Sequence, residues 1–309
     1  MLVGKSSSTI ASVDAGVWSG RPVQSYAIGN RVGEAPCWHP IQQCLYWIDV
    51  RAQQLLRLYP DNSTVDRWHL PEVVGALALC HGSEVCLALT RRLVKLDVIT
   101  GEMCDFAVVE SEPTGNRLND GKVSPSGRWF VFGSMDDRVQ KSATGAIYCV
   151  SSNGEVRRIY SGLTVCNGIA WNAAATQIYF SDSAKGVLYR APWDDARGEM
   201  GDAAVFATLD EAAGRPDGGA VDLNDQYWSA GVSAGCINVL SASGQIVEKI
   251  ALPCQAPTMC AFGGQRGDVL YVTSLIRPQW QAAGVHDGAL LAIPLATRGP
   301  ASSLFGTAV

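Results

Sequence analysis

Charge is scarce in this chain of 309 residues: Asp, Glu, Lys and Arg make up 17% of it, and the formal net charge is -5 with histidine neutral. Lys and Arg form no cluster, so nothing marks a nucleic-acid-binding face, and nucleic acid is not expected as a partner. No apolar run approaches the roughly 18 residues that a membrane-crossing helix needs. The start of the chain, Met1 to Gly20, lacks the basic stretch and apolar core of a secretion signal. Neither a membrane nor the secretory route is therefore expected, and the expected location is the cytoplasm. Helix-period patterning is almost missing; Asp210–Ala213 has room for one turn. No Cys-x-x-Cys occurs among the ten cysteines. Cys37, Cys44, Cys86, Cys149, Cys166 and Cys236 lie in or beside apolar strand patterns, which suits reduced, buried thiols rather than a disulfide framework. The histidines, His39, His69, His81 and His286, share no spacing suited to a metal or a catalytic triad, and each falls at a turn or strand end.

What the chain does have is a repeat. Strand-like centres recur at intervals of roughly forty to fifty residues, at Tyr46-Trp47, Cys86-Leu87, Trp129-Phe130, Tyr179-Phe180, Tyr227-Trp228 and Tyr271-Val272. Roughly thirteen residues before each lies a turn-like opening: Gly33-Glu34-Ala35-Pro36, Val74-Gly75-Ala76, Asn119-Asp120-Gly121, Asn167-Gly168, Pro216-Asp217-Gly218 and Ala256-Pro257-Thr258. A period of this length marks an array of four-stranded units, and six of them closed in a ring make an all-β, six-bladed β-propeller with antiparallel blades around a central channel. Residues 1–20 are expected to be a flexible N-terminal tail, and 21–309 a single propeller domain. Val23–Ile28 are expected to supply the outer strand of the last blade, pairing the chain's two ends and leaving no open sheet edge. Hairpins are expected at Ser124-Pro125-Ser126-Gly127 and Asn153-Gly154, where the turn geometry suits Gly and Asn.

Equivalent positions of a closed repeat converge on one axis, so Glu34, Asn119, Asn167 and Asp217 should meet at one end of the channel. Glu34, Asn167 and Asp217 form a candidate all-oxygen metal site: two carboxylates and an amide carbonyl suit a hard divalent cation such as Ca²⁺, Mg²⁺ or Mn²⁺, and carboxylate also accepts Zn²⁺. Three protein ligands leave room for water and substrate. The plainer alternative is that each is turn punctuation, since Asn-Gly and Asp-Gly are common turn pairs. Arg117 and Asn119 lie two apart and so face the same side of an extended segment, making a donor-rich wall for a carbonyl or hydroxyls, unless the segment is a surface loop. Gly231-Val232-Ser233-Ala234-Gly235 matches the Gly-x-Ser-x-Gly nucleophile pattern. That motif needs a strand-to-helix elbow; here it bridges two strands and reads as a hairpin.

Gly-Glu34-Ala-Pro-Cys-Trp, Asn-Arg-Leu-Asn-Asp-Gly-Lys at 116–122, Gly-Ser-Met at 133–135, Asn167-Gly-Ile-Ala-Trp, Pro216-Asp-Gly and Phe262-Gly-Gly stand in an order that resembles the senescence-marker-protein (regucalcin)/gluconolactonase/luciferin-regenerating family. The resemblance implies a propeller with one divalent metal ion, Ca²⁺ foremost, with Zn²⁺, Mn²⁺, Mg²⁺ or Fe²⁺ as alternatives. It implies Glu34, Asn167 and Asp217 as the ligands, Asp217 also as the acid/base, and Arg117 and Asn119 as substrate contacts. Animal members carry an acidic pair that helps bind sugar shortly after the matching Gly-Thr-Met. This chain has Asp136-Asp137-Arg138, so Asp137 is expected to take that role, with Arg138 altering the charge beside it and, like Arg117, expected as a substrate contact, for a carbonyl or an anionic tail. The expected activity is hydrolysis of a sugar lactone such as gluconolactone to the aldonic acid, by a monomer or small homo-oligomer. The alternatives are a phosphotriesterase-like hydrolase and a non-enzymatic, calcium-binding or protein-docking propeller.

Overall fold

The computed structural model describes residues 1–111 and 114–306. Six antiparallel sheets surround one axis as the blades of a β-propeller. The innermost strands are Gly33–His39, Val74–Leu79, Asn116–Val123, Cys166–Trp171, Pro216–Val221 and Pro257–Gly263. The aromatic centres read from the sequence fall on the second strands, such as Cys44–Asp49 and Gln177–Asp182. Both faces of a second strand are covered by neighbouring blades, so it carries a near-continuous apolar run rather than strict alternation. Trp47, Phe130, Phe180 and Tyr227 are accordingly fully buried. The core lies in layers between blades. One layer joins Ile48, Leu55 and Trp68 to Leu77, Leu87 and Val94; another joins Trp228 and Ile237 to Cys260, Leu270 and Leu291.

The ring closes as the sequence suggests. Arg21–Tyr26 pairs with Leu290–Pro294, Tyr26 opposite Leu290, as the fourth strand of the last blade. The first twenty residues differ from the expected tail. Lys5–Thr9 pairs with Thr64–His69, and Ser12–Trp18 with Arg21–Tyr26, each adding a fifth, outermost strand to its blade. Lys5–Thr9 is exposed throughout and therefore shows no apolar period. Main-chain pairing holds it, together with the Lys5–Asp66 ion pair at 3.0 Å. Asp210–Ala213 makes one turn, closed by Gly214 N–H donating to Asp210 O at 3.0 Å. Both expected hairpins are present, with Gly127 at φ 76 and Gly154 at φ 85. All ten cysteines are free, Cys104 exposed and Cys37 half-buried among them. Among the described residues, no helix is long and apolar enough to cross a membrane.

The openings read as turns are something else. Every inner strand has a register shift near its start: between Glu34 and Cys37, Val74 and Ala76, Asn119 and Gly121, Asn167 and Ala170, Pro216 and Gly219, and Pro257 and Met259. These are β-bulges, which share their residue preferences with turns and re-aim a side chain without ending the strand. Adjacent bulges pack closely. A Cβ on Gly75 would stand 2.0 Å from Leu118 O and 3.0 Å from Asn119 Cα. Because the obstacle is backbone, Gly75→Ala is expected to destabilise the fold by about 1–3 kcal/mol and to shift the strand carrying Asn119. Thermal melting checks this; an unchanged melting temperature would show that the blades can separate freely.

Candidate active site at one mouth of the channel

Glu34, Asn167 and Asp217 are each the second residue of an inner strand, and Asn119 is the fourth of its longer one. All four stand at bulges, at the channel end where the inner strands begin. The backbone reaches left-handed geometry beside three of them, with φ 50 at Ala35, 30 at Asp120 and 68 at Gly168. Gly168 also admits Tyr227, whose hydroxyl donates to Gly168 O at 2.7 Å; a Cβ there would lie 2.4 Å from that hydroxyl.

A hydrogen-bond chain runs across two blades. Arg117 Nη1 donates to Asn119 Oδ1 at 2.6 Å and to Leu118 O at 3.0 Å. Asn119 Nδ2 donates to Cys166 O and to Asn167 Oδ1, both at 2.8 Å. Asn167 Nδ2 in turn donates to Ser183 Oγ at 2.8 Å. This fixes the Asn167 amide and leaves a lone pair of its oxygen available. Arg117 Nε also reaches Asp137 Oδ1 at 3.3 Å, and Arg51 grips the same carboxylate at 2.8 and 3.3 Å. Burial pushes Asp137 up, but the Arg51 hydrogen bonds and the Arg117 charge outweigh it and hold the carboxyl below its ordinary value. Arg138 is occupied elsewhere: it forks onto buried Asp136 through two bonds of 2.8 Å. Arg117, Asn119, Asn167 and Asp137 are thus joined, whereas Arg138 pairs outside that chain.

The carboxylates repel one another. Glu34 is pushed well above the usual carboxylate range by burial, then by the charges of Asp217 and Asp120. Asp217 is pushed up to about 7 by burial and then by Asp120, against the opposing pull of Arg215, Arg117 and Arg277. Asp120 was not singled out from the sequence. Its side chain is buried, Oδ2 accepts Ile169 N–H at 3.0 Å, and Oδ1 has no hydrogen-bond partner. A buried carboxylate oxygen without a donor costs free energy, as do carboxylates crowded together. A divalent cation would offset both costs, and the donor set, all oxygen, fits a hard one. Among the described residues, no three His, Cys, Asp or Glu side chains could hold a metal by themselves. A cation at this rim would need an amide oxygen, such as that of Asn167, alongside the carboxylates.

Further along the inner strands, toward the other end, Cys37, Lys122, Trp171, Met259 and Phe262 line a cavity of about 230 Å³. It is mostly apolar and does not hold the carboxylates. Ser233 lies on the hairpin between Tyr227–Gly231 and Cys236–Leu240, where its Oγ accepts Arg215 N–H at 2.9 Å. Ser233→Ala is expected to leave turnover within about threefold, because a lost exposed hydrogen bond is worth little. Activity abolished in that variant, with the fold intact, would point to a serine nucleophile. Arg51, Arg215 and Arg277 were also missed in the sequence. Arg215 immediately precedes Pro216-Asp217, which was a usable signal; Arg51 and Arg277 follow the ends of second strands and carry none.

Fold and site define a six-bladed propeller with a carboxylate- and amide-lined site where its inner strands begin. The family model described as SMP-30/Gluconolactonase/LRE-like region matches residues 32–276, and the chain belongs to that family. It is 34% identical over 271 residues to a 6-deoxy-6-sulfogluconolactonase of Pseudomonas putida, covering 86% of this chain and 91% of the relative. It is 30% identical to an L-arabinolactonase of Azospirillum brasilense, covering 79% and 81%. Among solved structures, a calcium-binding protein, regucalcin, from Agrobacterium tumefaciens superposes with a TM-score of 0.86 at 26% identity, covering 91% of this chain and 96% of the other.

Proposed function

We propose that this protein is a divalent-metal-dependent hydrolase that opens a sugar lactone to the open-chain aldonic acid. The observation that carries the reading is the meeting of Glu34 and Asp217, with the Asn167 oxygen, at bulges on one rim of the channel. Relatives named as sugar lactonases support the reaction class. Glu34, Asn167 and Asp217 would hold the cation. When bound, the cation supplies Lewis-acid stabilisation of the charge that develops on the lactone carbonyl oxygen.

The chain's own groups do the rest. Asp217 takes a proton from water as its oxygen bonds to the carbonyl carbon. It returns that proton to the ring oxygen as the carbon–oxygen bond breaks, leaving a hydroxyl and a carboxylic acid. Arg117 donates to the sugar's oxygens from a fixed position, because Asn119 and Asp137 hold its guanidinium. Asn119 acts mainly by orienting Arg117 and Asn167, since both donor positions of its amide are taken. Arg138, committed to Asp136, has no part in this reading.

Arg117→Ala is expected to raise KM and lower kcat/KM by about ten- to a hundredfold, with bound metal remaining stoichiometric, since a guanidinium has no lone pair for a metal. Metal loss in that variant would mean that the guanidinium supports the ligand set directly. The test of the whole reading is a rate survey over γ- and δ-lactones with several divalent metals after chelation. Metal-dependent turnover of at least one sugar lactone is expected. Cation binding without turnover of any lactone would leave a calcium-binding propeller instead, and faster cleavage of a phosphotriester would move the protein to another reaction class.

A further inference from the structure

Two of the arginines at the mouth of the channel stand apart from the others in having no ion-pair partner among the described residues. Arg51 and Arg117 share Asp137, and Arg138 is matched by Asp136. Arg215 and Arg277 differ. Arg215 is exposed, one residue before the inner strand Pro216–Val221; its N–H is held by Ser233 Oγ, and its C=O accepts Val232 N–H at 3.1 Å. Arg277 is half-buried, three residues beyond the second strand Val269–Ser274 of the last blade. Its loop is tied to the first blade's approach by Ile276 N–H donating to Arg31 O at 3.3 Å. The two guanidiniums therefore come from different blades to the same rim. The charges of both reach Asp217, and they oppose each other. Among the described residues, neither has a carboxylate at ion-pair distance, unlike Arg51, Arg117 and Arg138. A cation held by Asp217 would leave them still less compensated.

We propose that Arg215 and Arg277 receive an anionic group at the far end of the lactone, so that the preferred substrate is a sugar lactone bearing a terminal sulfonate, phosphate or carboxylate. This deepens the lactone-hydrolase reading and rests on it. Two like charges held at one rim without an ion-pair partner are an arrangement that an anion relieves. A planar guanidinium pair suits the several oxygens of such a group, where a neutral hydroxymethyl offers one. Arg117 and Arg138, the nearer candidates by sequence, are already engaged by Asn119 with Asp137 and by Asp136.

The experiment compares kcat/KM for gluconolactone with that for counterparts carrying each of the three anionic groups on the terminal carbon. It uses the metal-loaded wild type and the double variant Arg215→Gln/Arg277→Gln. The exposed and half-exposed positions make loss of fold an unexpected outcome, and a melting curve verifies this. The wild type is expected to favour at least one anionic lactone. The ratio of anionic to neutral kcat/KM is expected to fall by about ten- to a hundredfold in the double variant, mainly through KM. Which of the three is favoured most identifies the group. Calorimetric binding of gluconate bearing a terminal phosphate, sulfonate or carboxylate gives a readout independent of turnover, and the favoured one should bind more weakly to the double variant. Turnover of the neutral lactone with the same ratio in both proteins overturns this inference and leaves the hydrolase reading standing. Failure of every lactone, neutral and anionic, overturns the hydrolase reading and this inference together.

Discussion

Asp217→Asn lowers kcat for lactone hydrolysis by about two to four orders of magnitude, the usual cost of removing an acid/base group. The substitution keeps shape and an oxygen ligand but removes both the charge and the proton-accepting oxygen. It should not unfold the protein. Without a cation, the Asp217 charge opposes Glu34, so an amide at that position relieves a repulsion. The metal-free variant is therefore expected to melt at or above the wild-type temperature while being nearly inactive. That combination separates a functional carboxylate from a structural one, since a structural group would lower stability and activity together. Wild-type turnover in the purified, metal-loaded variant would remove Asp217 from the chemistry.

Removing the cation should have a comparable effect on rate and a distinctive effect on stability. Chelation is expected to lower kcat/KM by about two orders of magnitude or more, restored by adding back a divalent metal. The stability effect follows from the direction of the carboxyl shifts. For Asp217 the unfolded value lies near 3.8 and the folded value at about 7, so between them the folded state binds the extra proton. Stability from that source is fully present below the unfolded value and is lost as pH rises through the folded one. Glu34, raised by burial and by Asp217, acts in the same direction. The chelated protein should melt at a lower temperature at about pH 8 than at about pH 5. Cation added at the higher pH should recover the difference, because it binds the ionised carboxylates. Equal melting temperatures with and without cation at both pH values, or full activity after chelation, would show that the carboxylates do not form a metal site.

The fold could be read from this sequence because the repeat is carried by large apolar side chains whose burial is a many-residue signal. Trp47, Phe130, Phe180 and Tyr227 all lie where the period puts them. The outermost N-terminal strands were illegible for the converse reason: a strand such as Lys5–Thr9, exposed on every residue, leaves no apolar period. The common phase of the candidate site residues was legible. Glu34, Asn167 and Asp217 share one position of the repeat and come to one mouth. Their backbone setting was not, because a bulge at Asn119–Gly121 and a turn use the same Asn, Asp and Gly. Asp120 was hidden within that punctuation. Arg215 could have been read from its place before Pro216-Asp217, but its approach to Arg277 depends on two blades meeting at the rim, which no local pattern contains.

Closing the ring with Arg21–Tyr26 sets an order of events during synthesis. The segment that completes the last blade is made before every inner strand, yet its partner, Leu290–Pro294, is made after all of them. Blades one to five can form hairpin by hairpin as they emerge, whereas the seam joins strands far apart in the sequence and is expected to form last. Until then the last blade's edge and the early strand both remain open to strangers. A nascent or truncated chain ending before Leu290 therefore presents an unsealed propeller, and the seam is where a second molecule could be captured by strand exchange.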